Sequence, residues 1–441
     1  MNFIDNNSLS KRNSLKTKNL LVVGYTFPPI PYSGTYRILR LCKGLNRLGA
    51  AVNVVTINIY KDIPNDDDIL LQVPKSIKVY RTPIIDPWRR YQTWKTRNKN
   101  IPGFLYINKI VSFFLRFVTI PDHMILWIPF AIVAGVKIIK QRSIDAIFVS
   151  SPPYSAQLIG LFLKKITKVK WLVDLRDPIV GNVAEVHLLN PTDIISKIEK
   201  KVRVNLEKLI AQNSDIIIAN TDTHRIELSN KYKSGKFYTI KNSYDEDDYK
   251  NIKISKTSKF IISHVGSMYG LRKADILLNV IKTLEKEISP KPLNLEVHFL
   301  GLNDITLEKD VINRDVTNYV QIRNLVPHHE AMKAMINSHL LLLIKANAVD
   351  SLGQIPGKFY EYLGIGKPIL YLGPQKCELA DMIRDLNAGY IVDNNEKMLI
   401  RILKDEYAKF LQGIYSKIEL QKVSKYNNIE MAKRVLSLVG Q

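Results

Sequence analysis

Short β-branched apolar runs alternate with amphipathic stretches from Asn19 almost to the end of the chain. In the first half the runs are Asn19–Tyr25, Ala51–Ile57, Ile77–Thr82, Ala146–Ser150, Lys170–Leu175, Asp215–Asn220 and Lys236–Ile240. In the second half they are Phe260–Val265, Leu295–Leu300, Val320–Asn324, His339–Lys345, Pro368–Leu372 and Tyr390–Val392. Continuous apolar runs separated by helical patterns predict parallel strands covered on both faces, an α/β architecture.

Two of the intervening helices have readable stripes. Ile38, Cys42, Leu45 and Leu48 form one, with Arg37, Arg40, Lys43 and Arg47 largely outside it and Gly49 as a stop. Ile194, Ile198, Val202, Leu206 and Leu209 form another, opened by Asn190-Pro191-Thr192. Between 242 and 258 the pattern lapses into polar sequence of mixed charge, and a new strand–loop–helix series starts at Phe260. The expected division is a basic tail over 1–18, one open α/β domain over 19–242, a second over 243–425, and a closing helix over 426–441. Ligands are expected at strand carboxyl ends and in the cleft between the domains.

Composition narrows the partners. The 441 residues carry a formal charge of +23, from 64 Lys and Arg against 41 Asp and Glu, which calls for a polyanionic neighbour. Two cysteines, Cys42 and Cys377, exclude a disulfide framework or a multi-cysteine zinc site. The polar tail lacks the apolar stretch of a signal peptide. The most apolar region, 101–139, is broken by Lys109, Arg116, Pro129 and Lys137, so no spanning helix is expected and the chain is read as cytoplasmic. From Asp86 to Arg142, ten basic residues stand against two acidic ones, interleaved with Trp88, Tyr91, Trp94, Phe104, Phe113, Phe114 and Phe117. That pattern predicts a segment lying on an anionic membrane surface, peripheral to its inner face. No nucleic-acid-binding module accompanies the charge, so nucleic acid is not an expected partner.

Four segments can carry chemistry. The first run leads through Pro28-Pro29-Ile30-Pro31-Tyr32-Ser33-Gly34 into a helix, where Gly34 permits close approach and the helix end offers N–H groups to an anion. No G-x-G-x-x-G follows, so a nicotinamide cofactor is not supported. In the second half Gly266, Gly270, Arg272 and Lys273 stand at a strand-to-helix junction, a combination that suits a diphosphate. Next, Pro356-Gly357-Lys358-Phe359-Tyr360-Glu361-Tyr362-Leu363 precedes a buried strand and sets one carboxylate, Glu361, where ribose hydroxyls could be accepted. Finally Asp174, Arg176 and Asp177 fall at a strand carboxyl end, either as a working group or as an Asp–Arg brace. The acidic clusters Asp66–Asp68 and Asp245–Asp248 read as solvated loops, and His328-His329 as a helix start, so no metal site is expected.

Together these residues resemble glycosyltransferase family 4, the retaining group with the GT-B fold of two facing Rossmann-like domains. The segment from Pro356 through Ile369 is the most specific match, supported by Pro29–Arg37, Ser151-Pro152-Pro153, Asp174–Pro178, Ile217–Thr223 and Asn242–Asp245. The resemblance implies transfer of a sugar from a nucleotide diphosphate sugar to a hydroxyl of a lipid-linked or polysaccharide acceptor in cell-surface glycan synthesis, without a metal or other cofactor. It implies that Glu361 binds the ribose, and that Arg272, Lys273, Lys358, Gly266 and Gly34 serve the donor. It also implies that the last helix, within Ile429–Leu438, returns to the first domain. Asp177 or Asp174 would position the acceptor or take its proton, and His123 would meet the acceptor. Three positions depart from the family pattern. Gly353 stands where a first glutamate is usual, Arg272 and Lys273 are adjacent rather than separated, and Asn242-Ser243 replaces Asn-Gly. Competing expectations are a nucleotide-sugar epimerase of the same architecture and a non-catalytic sugar-nucleotide-binding homologue.

Overall fold

All thirteen apolar runs become strands, because apolar and β-branched stretches with Gly and Pro only near their ends fit a sheet buried on both faces. The computed structural model describes residues 18–60, 63–98, 104–181, 185–233, 235–255, 257–268, 272–288, 293–303, 305–346 and 353–441. The basic tail (apart from Lys18), Lys99, residues 101–103 and Gly270 lie outside the described residues.

The first sheet contains β1 (Asn19–Val23), β2 (Ala51–Ile57), β3 (Lys78–Thr82), β4 (Ala146–Ser151), β5 (Lys170–Leu175), β6 (Ile216–Ala219) and β7 (Phe237–Thr239). Its helices are α1 (Ser33–Arg47), α2 (Asp67–Leu71), α3 (Pro87–Arg97), α4 (Phe104–Val118), α5 (Ile128–Gln141), α6 (Ala156–Thr167), α7 (Val186–Leu189), α8 (Ile194–Asn213) and α9 (Asp222–Lys231). Strand order is β3-β2-β1-β4-β5-β6-β7, every pair parallel, with Val22 opposite both Val54 and Phe148.

The second sheet contains β8 (Phe260–Val265), β9 (Leu295–Leu300), β10 (Val320–Arg323), β11 (Leu340–Ile344), β12 (Ile369–Leu372) and β13 (Gly389–Val392). With it run α10 (Asp275–Ile288), α11 (Ile305–Asn313), α12 (His328–Ile336), α13 (Gly357–Ile365), α14 (Glu378–Asp385), α15 (Glu396–Leu411), α16 (Leu420–Val423) and α17 (Asn428–Gly440). Strand order is β10-β9-β8-β11-β12-β13, again parallel throughout. Both sheets reverse winding at one place, between β1 and β4 and between β8 and β11. A doubly wound sheet opens its binding crevice at that point.

Each sheet is sandwiched between two apolar clusters, one per face. α17 belongs by packing to the first sheet: Met431, Ala432, Val435, Leu438 and Val439 join Ile38, Leu41, Cys42 and Leu45 of α1. Among the described residues no helix is long and apolar enough to cross a membrane.

Several local expectations change. Gly49 ends α1 in the left-handed region at φ +82°, but Arg37, Arg40 and Lys43 are buried rather than solvated. In α8 the N-cap is Asp193, whose carboxylate accepts from the Ser196 N–H, and Ile194 is exposed. Its buried stripe runs through Ile195, Leu206 and Ile210 and admits Arg203 and Glu207, because those two charges find partners. Asp245, read as solvated, is buried as well, and the Asp248 side chain is only 4% exposed.

Candidate functional site

The second domain gathers cations at its winding reversal. β8 ends at Val265, and Gly266 follows at φ +133° with Lys358 Nζ only 1.9 Å from the position a Cβ would take. No other residue type allows that approach. Lys358 stands in the first turn of α13, its Nζ 3.3 Å from His264 Nε2. His264 Nδ1 lies 3.0 Å from the Leu342 carbonyl and so carries the ring proton, leaving Nε2 to accept from the lysine. Burial, then the Lys358 charge, holds the His264 pKa well below the usual imidazole range, and the ring is neutral. Burial, then Arg272, drops the Lys358 pKa to about 7, with Glu361 opposing. Lys345, just past β11, donates to the Gln354 carbonyl at 2.8 Å; burial brings its pKa to about 8. Arg272 donates to the Ser267 carbonyl at 3.2 Å. Three cations therefore converge on the ends of β8 and β11. Lys273 is not one of them: it is exposed, and Arg272 alone of the pair acts on Lys358, His264 and Lys345.

Glu361 lies one turn further along α13 and faces the other domain. Its Oε1 accepts from Arg40 Nη2 at 2.7 Å, and the same nitrogen reaches Asp248 at 2.9 Å. Burial alone would lower the Arg40 pKa, but Glu361 and Asp248 together raise it. Arg40 is one rung of a ladder built on α1. Arg37 holds both oxygens of Asp174, at 2.9 and 2.6 Å, together with Asn242. Lys43 reaches Asp245 and Asp247, and Arg47 reaches the same two carboxylates. Residues 37, 40, 43 and 47 are spaced for one helix face, and that face zips against the inter-domain segment. Further contacts cross between domains. Tyr36 lies against His328 at 4.7 Å between ring centres, and His328 N–H donates to Asp66 at 3.1 Å. Glu378, first residue of α14, accepts from the Asp222 and Thr223 N–H groups at the start of α9, at 3.0 and 2.9 Å, and pairs with Lys241.

At the winding reversal of the first domain lies a cavity of 430 Å³, walled by residues 25–26 after β1, 152–154 after β4, and the Gly34 turn. Arg176 projects against Gly34, its Nη1 2.5 Å from where a Cβ would sit, and its Nε donates to Asp177 at 3.2 Å. Asp177 keeps about a third of its side chain exposed. His123 stands exposed at the cavity rim. Asp174 does not reach the cavity: it is fully buried, with Arg37 on both oxygens and the Ser150 hydroxyl on one, at 2.7 Å. Of the two aspartates expected to serve an acceptor, Asp174 is thus a brace for α1, and its guanidinium partner is Arg37 rather than Arg176.

The structure brings Gly266, Arg272 and Lys358 together, with Glu361 next to them but turned to Arg40. It sets Gly34, Asp177 and His123 around the facing domain. Sequence reasoning missed Lys345, His264, Arg40 and Glu378. Two signals existed. A lysine directly follows the unbroken run Leu340–Ile344, and α1 carries Arg40, Lys43 and Arg47, three cations to set against Asp245, Asp247 and Asp248.

No family model and no curated protein matches the chain. Among solved structures it is similar to sucrose-phosphate synthase from Thermosynechococcus elongatus, at 12% identity and TM-score 0.61, over 96% of this chain and 98% of that one. It is similar to Anabaena Alr3699/HepE in complex with UDP and glucose, at 12% identity and TM-score 0.59, over 96% and 99%. A putative UDP-N-acetylglucosamine 2-epimerase from Listeria monocytogenes is also similar, at 8% identity and TM-score 0.54, over 96% of each chain. At these identities the likeness speaks to architecture, and it agrees with the two parallel sheets: the chain has the GT-B fold of two facing Rossmann-like domains.

Proposed function

We propose that this chain is a retaining glycosyltransferase of the family 4 kind, moving a sugar from a nucleotide diphosphate sugar to an acceptor hydroxyl in cell-surface glycan synthesis. The observation that carries the reading is the convergence of Lys358, Arg272 and Lys345 on the end of β8, across from a cavity in the facing domain. The similar Anabaena protein is solved with UDP-glucose, which supports a uridine nucleotide as donor here.

In the reaction the bond from the sugar to the donor phosphate breaks and its electron pair leaves with the diphosphate. The acceptor oxygen forms the new bond and gives up its proton. Cations fixed before the reaction stabilise the departing charge without reorganising, and here they take the place of a metal. Glu361 exchanges Arg40 for the ribose hydroxyls. Asp177, beside Arg176, is the carboxylate available to orient the acceptor hydroxyl or receive its proton. The domain division at 242/243 and a site at the inner face of a membrane belong to the same proposal.

The test is incubation of the full chain with a panel of nucleotide sugars and glycan or lipid-linked acceptors, alongside titration calorimetry with UDP and GDP. Absence of both transfer and nucleotide binding would sink the enzyme reading. The Listeria epimerase likeness supports a second reading, epimerisation of the nucleotide sugar. It is separated by the product: an epimer formed from UDP-N-acetylglucosamine with no acceptor present would favour it over transfer.

A pH dependence follows from Lys358. Its pKa of about 7 in the free protein means that the ammonium is largely neutral above that pH. A bound diphosphate favours the charged form and raises the pKa, so binding takes up protons above pH 7. UDP affinity is therefore expected to fall as pH rises past 7 toward the ordinary lysine range. Calorimetry in buffers of different ionisation heat measures both effects. Affinity that stays flat, with no proton uptake, rejects this placement of the phosphate.

A further inference from the structure

The helix α4 has no buried residue, and its outward face is apolar. Leu105 and Tyr106 are 79% and 76% exposed, and Ile110, Phe113, Phe114 and Phe117 are each more than half exposed. Positions 106, 110, 113, 114 and 117 recur every three or four residues and share one side of the helix. The opposite side is held. Trp88, Tyr91, Trp94 and Phe104 form a chain of ring contacts at 5.7, 6.1 and 5.9 Å that ties α3 to the first turn of α4. The exposed face is thus a fixed surface, larger than scattered surface apolars require.

The carboxyl end of α4 borders the cavity of the first domain. Arg116, from the last turn of α4, and Thr119 just beyond it line the cavity. Trp88, also in the cavity wall, donates from its indole N–H to the Thr119 hydroxyl at 3.0 Å. Phe113 and Phe117 bracket Arg116 within one turn. An apolar chain lying on α4 would thus run toward the end of the helix that borders the cavity.

The surroundings are basic: Arg90, Arg97 and Lys109 are exposed around the hairpin. The acidic residues of this stretch are committed internally. Asp86 caps the Arg89 N–H at 3.0 Å, and Asp122 accepts from the Ser155 N–H at 2.8 Å and its hydroxyl at 2.6 Å. The cavity interior differs. Its Arg203 is matched by Glu185 and Glu199 at 2.5 and 2.9 Å, and Tyr25, Tyr32, Trp88 and Tyr154 supply ring faces. Balanced charge with aromatic walls suits the hydroxyls and CH faces of a sugar, whereas the rim suits an anion.

We propose that the acceptor is a membrane-borne glycolipid. Its sugar head enters the cavity of the first domain, its apolar chain lies on the outer face of α4, and the basic collar takes the anionic groups at the lipid surface. The proposal rests on the transferase reading and selects, within it, a lipid-linked acceptor over a polysaccharide. A protein docking on α4 would leave the continuity with the cavity and the one-sided charge without use.

Two measurements on the full chain test it. Trp88 and Trp94 are partly exposed while Trp127 and Trp171 are fully buried, so brominated-acyl lipids report on the hairpin by quenching tryptophan fluorescence. Vesicles of brominated phosphatidylcholine with phosphatidylglycerol are expected to quench the native chain. Purely phosphatidylcholine vesicles should quench it less, and the Phe113→Ser/Phe117→Ser variant should escape. Both phenylalanines are exposed, so the variant keeps its fold, checked by unchanged UDP affinity. The second measurement compares methyl and dodecyl glycosides of one sugar as acceptors. The dodecyl compound should show a KM lower by about tenfold or more, and the variant should lose that difference with kcat retained. Equal KM for both glycosides, or a preference that survives in the variant, overturns the inference. So does absence of quenching, or an oligomer that the variant dissolves while vesicles have no effect. Failure to bind UDP with quenching intact strikes the transferase reading and leaves the lipid face standing.

Discussion

Replacing Lys358 with methionine is expected to weaken UDP binding by about a hundredfold, since a charge-assisted bond to phosphate contributes about 1.5–3 kcal/mol. The same change should stabilise the free protein. Lys358 has a folded pKa near 7 against an ordinary value of 10.5. Between those values the unfolded chain binds a proton that the folded chain does not, and below pH 7 the folded protein bears the full cost of an ionised, desolvated ammonium. Stability from this group thus falls as pH drops from 10.5 to 7 and stays low beneath it. Methionine, similar in length, removes the penalty. The variant's advantage in urea unfolding should be largest at or below pH 7 and vanish toward pH 10. Lys273→Ala, outside the cluster, should change neither quantity. A Lys358→Met protein that binds UDP as tightly as the native chain rejects the assignment.

The second large effect concerns the brace beneath α1. Arg37 and Asp174 have side-chain exposures of 2% and 0% and share two hydrogen bonds. Removing one member strands a buried charge, at a cost of about 3–5 kcal/mol. Arg37→Met and Asp174→Leu are each expected to lose that much in urea unfolding. The double variant should recover a large part, because neither charge is then left alone. Single losses below about 1 kcal/mol, the range of exposed pairs, would mean that water reaches the pair. The comparison also separates two roles for Asp174. A brace loses activity only as far as the protein unfolds, whereas a group acting on the acceptor would silence a folded enzyme.

Much of the fold was legible because its strands are buried on both faces. An unbroken run such as Leu340–Ile344 has few other destinations, and the gap between Ile240 and Phe260 marked where one sheet stopped. The candidate site was legible where its residues are local in sequence: Gly266, Arg272, Lys358 and Glu361 sit in two short segments. What stayed hidden depends on pairings across long separations. Asp245 and Asp248 read as solvated because an acidic cluster in a polar stretch usually is. They are buried only because α1, some two hundred positions earlier, presents cations at matching intervals. The role of Asp174 was hidden for the same reason, since its partner is Arg37 and not the neighbouring arginine. His264 sits within an apolar strand and shows no sign of its contact with Lys358 until α13 is folded against it.

The chain passes between the domains twice, once after β7 and once before α17, and the two passages touch. Tyr244 N–H donates to the Tyr426 carbonyl at 3.0 Å, and Tyr244 pairs with Asn427 in a parallel bridge. Two tethers fastened side by side act like paired hinges on one door. Swinging about their common line strains neither, while twisting or sliding one leaf past the other stretches at least one. The cations at the end of β8 and the cavity beside Gly34 belong to opposite leaves, on either side of these paired passages. Glu361 and Arg40 meet across the same gap, as do Glu378 with Thr223 and His328 with Tyr36, so opening the leaves would break all three contacts together.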